Sequence, residues 1–186
     1  MSYVKPVSVL FSLACAIIAL PRTLAAQDPH AHHAAKTEFP VPASIRAGHA
    51  EIHSELLAAT RLKGKTGDAA RNLARVLDPH FQREEQIALP PLGLLEPMSR
   101  GVFRPAMADV LALTDSLHAE MPKMLAEHAQ IRAATAKLAE AARVENNAQA
   151  LQLATRLKAH ALTEEEVTYP AALLVGDLIK ARGAKK

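Results

Sequence analysis

The segment His80-Phe81-Gln82-Arg83-Glu84-Glu85, closed by Pro90, returns eighty residues later as His160-Ala161-Leu162-Thr163-Glu164-Glu165, closed by Pro170. Each copy sets a histidine four residues ahead of a glutamate. On an α-helix that spacing stacks imidazole and carboxylate on one face, one turn apart. Both groups bind metal ions. One such pair is commonplace on a solvated helix surface, whereas two in register call for an explanation. A second echo accompanies them: His49-Ala50-Glu51-Ile52 matches His128-Ala129-Gln130-Ile131 at an offset of 79.

The elements that must position these residues follow from apolar periodicity. A first helix is expected from about Ser44 to Leu62, with Ile45, His49, Ile52 and Leu56 in one stripe. The Gly64-Lys65-Thr66-Gly67 turn ends it, and Asp68 is the expected N-cap of the second helix. That helix aligns Leu73, Val76, Leu77, His80, Glu84 and Ile87, is kinked by Pro79, and stops at Pro90-Pro91. Residues 92 to 121 form the longest connection, in which Pro105 to Leu117 reads as an extra short helix. Pro122 suits the first turn of the third main helix, whose stripe is Met124, Leu125, His128, Ile131, Thr135 and Leu138. After Glu145-Asn146-Asn147 a fourth helix carries Leu153, Leu157, His160, Glu164 and Val167, and is read as continuing past Pro170 to Leu178.

Two helical hairpins emerge, each with one histidine from its first helix and a His/Glu pair from its second. Stacked antiparallel, they form an all-α, up-down-up-down four-helix bundle whose inner faces hold four histidines and two glutamates. Burial of an ionised carboxylate costs several kcal/mol even after relaxation, and each unpaired polar group about 1–3 kcal/mol. Hydrogen bonding between His and Glu across the bundle would satisfy one such pair. Six groups repeated in register favour a metal.

Composition agrees. The 186 residues are 49% hydrophobic but only 3% aromatic, with no Trp, which fits one core of helices packed through Ala and Leu. Residues 1–26 read as a signal peptide: Lys5, an apolar run from Val7 to Leu20, then small residues ending at Ala26, after which cleavage is expected. The run is short for a membrane span, which needs about 20 apolar residues. The protein is therefore expected to be exported, periplasmic or secreted, with no membrane attachment after cleavage. Lys5 and Arg22 leave with the signal, so 22 basic residues become 20 against 19 acidic. Cys15 leaves too, which excludes disulfides and thiolate metal sites from the mature chain. Residues 27–42 read as a flexible linker, where His30, His32 and His33 are either a weak metal-capturing arm or merely a polar tail. The bundle spans 43–180 and a basic tail 181–186. Near-neutral charge and scarce aromatics give nucleic-acid binding no support, and there is no phosphate-binding glycine loop or nucleophile elbow.

Over residues 44–178 this arrangement resembles the hemerythrin-like family, the HHE cation-binding domain. The resemblance rests on His49, on His128-Ala129-Gln130-Ile131, and on the two His-x-x-x-Glu-Glu segments ending in Leu89-Pro90 and Tyr169-Pro170. It implies a non-haem di-iron centre with an oxide or hydroxide bridge, ligated by His49, His80, Glu84, His128, His160 and Glu164. Glu85 and Glu165 match the second acid of the motif, and Glu165 is a substitute for Glu164. Oxygen-carrying relatives have a fifth histidine four residues after the one on the third helix; here that residue is Arg132. His53 either supplies a fifth histidine from the first helix or is a surface residue, and His118 is expected to be exposed. The favoured reading is a di-iron protein that binds, stores or senses O2, peroxide or NO, rather than a dedicated enzyme. A di-iron oxidase or peroxide-consuming enzyme and an exported zinc-, copper- or nickel-handling protein are the alternatives.

Overall fold

Every regular element is helical among residues 40–183, which are the residues described by the computed structural model. The expected signal segment, the arm with His30, His32 and His33, and residues 184–186 lie outside them. The long elements are α1 (Ala43–Thr60), α2 (Gly64–Ile87), α4 (Leu111–Val144), α5 (Ala148–Thr163) and α6 (Tyr169–Gly183). The short α3 (Leu95–Ser99) sits in the connection between α2 and α4, with 3-10 turns at Pro90–Leu94 and Pro105–Val110. A π-helical turn, Glu164–Thr168, joins α5 to α6. Helices α1, α2, α4 and α5 pack each against the next, and α5 against α1, which closes a ring of four.

The apolar stripes meet inside that ring in two layers. One comprises Ile52, Leu56, Leu73, Leu77, Phe81, Ile131, Leu138, Leu153 and Leu157. The other comprises Ile87, Leu89, Leu92, Leu117, Met124 and Tyr169, with Ile45 against it. His49 lies between Ile45 and Ile52 on α1, Glu84 between Phe81 and Ile87 on α2, and His128 between Met124 and Ile131 on α4. The polar residues thus form a band between two apolar layers. A third cluster, Leu94, Met98, Met107, Val110 and Val175, packs the connection against α6, where the Arg182 guanidinium lies 3.6 Å from the centre of the Phe103 ring.

Several helix boundaries differ from those expected. Helix α2 starts at Gly64, so Asp68 lies inside its first turns and pairs with Arg71 rather than capping. The cap comes from a distant segment: Glu145, after α4, accepts hydrogen bonds from the N–H groups of Lys65 at 2.7 Å and Thr66 at 3.0 Å. A carboxylate there answers both the free donors and the positive end of the helix dipole. Gly64 adopts φ +75°, and a Cβ at that position would meet Glu145 at 2.5 Å, so only glycine suits this turn. Asn147 caps α5 through the Ala150 N–H at 2.9 Å.

Pro122 lies well inside α4, which begins at Leu111, so the expected separate helix from Pro105 to Leu117 is instead a 3-10 turn followed by the start of α4. Pro79 likewise lies inside α2. Each proline leaves the carbonyl four residues earlier without its helical partner. Both prolines, and the residues Arg75 and His118 that carry those carbonyls, are exposed, so water can serve them.

The two motif-closing prolines act differently for a local reason. In both copies the residue before the proline bonds back five residues to the glutamate: Leu89 N–H to the Glu84 carbonyl at 3.0 Å, and Tyr169 N–H to that of Glu164. In the first copy a second proline, Pro91, follows and the chain turns off into 3-10 structure. In the second, Ala171 stands in its place, and the chain resumes as α6. The widened turn places the residue five positions on above the glutamate, which swings Tyr169 inward.

Helix α6 approaches α4 closely at Gly176, where a Cβ would fall 2.3 Å from Thr114 Oγ1 and 2.7 Å from Thr114 Cβ. Gly176→Ala is expected to push the helices apart and lower stability by about 1–3 kcal/mol, read as a reduced denaturant midpoint.

Candidate metal centre

The polar band is built from His49 on α1, His80 and Glu84 on α2, His128 on α4, His160 in the last turn of α5, and Glu164, which opens the π turn. All are buried except His160, whose side chain keeps 20% of its surface exposed. The amphipathic stripes put them there: His49 and His128 are flanked one turn away by Ile45 and Ile52 and by Met124 and Ile131, and each His/Glu pair follows a core leucine, Leu77 or Leu157.

The four imidazoles form two pairs. His80 and His128 have ring centres 4.6 Å apart, and His49 and His160 4.9 Å apart. Each carboxylate turns one oxygen towards each pair. Glu84 places Oε1 3.5 Å from His80 Nε2 and Oε2 3.8 Å from His49 Nε2. Glu164 places Oε2 3.5 Å from His128 Nε2, and Oε1 3.2 Å from His49 Nε2 and 2.8 Å from His160 Nε2. Two groups of potential ligand atoms result, His80/Glu84/His128/Glu164 and His49/His160/Glu164, with the atoms of each group within 4.8 Å of one another.

Direct pairing does not satisfy the cluster. Glu84 Oε2 and His160 Nε2 are buried without a hydrogen-bond partner; the short approach of His160 to Glu164 is off the line of a hydrogen bond. Orphaned acceptors of this kind cost about 1–3 kcal/mol each. A divalent cation bound among imidazole nitrogens and carboxylate oxygens would satisfy them, and that donor set suits first-row transition metals, iron among them. The residues fit a metal.

Around the cluster stand residues that sequence periodicity did not single out. Glu127 accepts from His80 Nδ1 at 2.9 Å. Glu165 accepts from His128 Nδ1 at 2.9 Å and is itself held by Arg132. The Tyr169 hydroxyl donates to Glu84 and lies 3.4 Å from His80 Nε2 and 3.2 Å from His128 Nε2. The Phe81 ring stacks on His49 at 4.3 Å. Two of these have a faint signal in the sequence: Glu127 directly precedes a buried histidine, and Tyr169 is a phenol leading into an apolar run. Glu165 thus stands behind a histidine instead of replacing Glu164, which is the acid in the cluster. Glu85 is exposed. His53 is half-buried with Nε2 4.0 Å from Asp78, outside both groups, and His118 is exposed.

The electrostatics express the same burial. For Glu164, burial pushes the carboxyl upward, but the imidazoles of His128, His160 and His49 that face it win and hold it well below the ordinary range. For His49 and His80, burial favours the neutral ring, yet bonds to Glu164 and Glu84 and the surrounding negative charge outweigh it and raise both. Burial and the charges of Glu84 and Glu164 push the Tyr169 phenol far above its usual value. Raised histidines stabilise the metal-free fold below pH about 6.5 and lose that contribution as pH rises through their folded values; the lowered Glu164 contributes above about pH 4.5. Metal requires neutral imidazole, so protons compete with it from a higher pH than for free histidine. As pH is lowered, metal retention by equilibrium dialysis is expected to begin to fall before pH 6.5 is reached, while over the same descent the denaturant midpoint of the metal-free protein gains the contribution of the raised histidines.

Residues 41–172 match the family described as hemerythrin HHE cation binding domain. No match was found among curated proteins or among solved structures.

Proposed function

The chain belongs to the hemerythrin HHE cation-binding family, and on that premise we propose that it holds two iron ions in its His/Glu cluster and there binds, stores or senses O2 or a related small molecule such as peroxide or NO. The observation that carries this reading is the sharing of both carboxylates, since Glu84 and Glu164 each offer one oxygen to each histidine pair. Carboxylates divided in this way could each serve two ions. The proposed ligands are His80, His128, Glu84 and Glu164 for one ion and His49, His160, Glu164 and Glu84 for the other. Iron, when bound, supplies redox change and affinity for O2, peroxide or NO.

The chain's own residues do the rest. Glu127 and Glu165 orient the His80 and His128 rings, leaving each Nε2 turned to the cluster. Phe81 and the two apolar layers exclude bulk water, and the Tyr169 hydroxyl offers a hydrogen bond at the inner face. Arg132, four residues after His128, is engaged with Glu165, and the candidate fifth histidine, His53, has its Nε2 4.0 Å from Asp78. The centre therefore suits two-site binding and redox chemistry better than simple O2 carriage. A di-iron enzyme that consumes peroxide would use the same residues. The partial exposure of His160 and a donor set shared with zinc, copper and nickel favour exported metal handling as the second reading. No helix among the described residues is long and apolar enough to cross a membrane, and export is proposed from the sequence of residues 1–26.

Metal analysis of the protein purified without a tag is expected to return about two irons per chain. Glu84→Gln should lose metal and thermal stability, whereas Glu85→Gln, at an exposed position, should retain both. Zinc, copper or nickel in place of iron would favour metal handling.

A further inference from the structure

The two hairpins repeat, but the residues backing the histidines do not. At the offset of 79, Glu127, which holds His80 Nδ1, corresponds to Gly48, and Arg132, which holds Glu165, corresponds to His53. At the offset of 80, Glu165 corresponds to Glu85. By that symmetry Gly48 is where a partner for His160 would stand, and Glu85 is where a partner for His49 would stand.

Neither partner is there. Gly48 has no side chain, Glu85 is exposed, and His49 Nδ1 is buried without a hydrogen-bond partner. The Tyr169 phenol adds to the imbalance, because it closes the His80/His128 side and its counterpart in the first copy is Leu89. His160 is also the cluster's one partly exposed member. A carboxylate behind a ligating imidazole fixes the ring and raises its basicity, and losing it typically costs 10–100-fold in metal affinity.

We propose that the two metal positions are unequal: the one between His80 and His128 holds its ion tightly, and the one between His49 and His160 exchanges its ion with the surroundings. The inequality rests on the two-metal reading above. It makes a one-metal form the resting state when free metal is scarce, and the fully loaded form a response to supply.

The test is chelator competition on protein loaded with Fe2+ without air, with metal retention measured after desalting. The wild type is expected to lose metal in two steps through a plateau at one ion per chain, with midpoints at least tenfold apart in chelator concentration. Glu127→Gln should weaken the tighter step by about 10–100-fold and leave the weaker one in place. Gly48→Glu should do the reverse and strengthen the weaker step by a similar factor, since a Cβ at position 48 meets nothing within 4 Å. Gly48→Ala, which adds helix propensity without a carboxylate, should leave both steps unchanged. Release of both ions in one step, or equal strengthening by Gly48→Ala and Gly48→Glu, would overturn the inequality while sparing the two-metal reading. A protein that binds no more than one ion in titration with excess Fe2+, before any desalting, would overturn both.

Discussion

The constraint on which the molecule turns is the burial of two carboxylates in the middle of an apolar bundle. Glu84 and Glu164 are almost wholly removed from water, where a lone charge costs several kcal/mol. Four imidazoles and a phenol crowd round them, and even so an oxygen of Glu84 finds no donor. Helix lengths, stripe register and the layers above and below all serve to bring these groups within a few ångströms of one another. Without an ion the carboxylates lean on the imidazoles, and Glu164 and Glu84 draw the titration of His49 and His80 upward; a bound ion needs those rings neutral. The same geometry thus has two charge-balanced states that exclude each other.

The backbone around the cluster is arranged to aim side chains. A five-residue hydrogen bond closes each His-x-x-x-Glu segment, so the residue before each proline turns inward over the glutamate. In one hairpin that residue is Leu89, which packs, and in the other Tyr169, which donates to the opposite carboxylate. A single side-chain difference at one repeated position gives the two ends of the cluster distinct chemistry. Phe81, whose counterpart is Ala161, does the same at the other end.

The bundle and its cluster were legible in the sequence because they depend on spacing along single helices. His49, His80, Glu84, His128, His160 and Glu164 fall in apolar stripes, and they do converge. What the sequence concealed depends on contacts between distant segments. Asp68 has the right chemistry for a cap, but Glu145 reaches the helix start from eighty residues away. Pro122 looks like a helix start because the rule for first-turn proline is local, and an exposed carbonyl that water can serve lets α4 run through it. Glu127 gives no sign of its role along its own helix, and Glu165 reads as a substitute for Glu164, until the facing helix supplies the histidines they support.

The Glu145 cap carries a consequence for the molecule as a mechanical whole. It joins the turn of the second hairpin to the first turn of a helix in the other, at the end of the ring remote from Tyr169. The central cluster and the cap thus clasp the two hairpins at two separate levels. Sequence repetition suggests two modules able to fold or be shuffled independently, but neither hairpin is complete without the other: one lacks its helix start, and each lacks half of its counter-charges. The repeat is a symmetry of helices and site residues but not of stability, and in unfolding the bundle should behave as one indivisible unit.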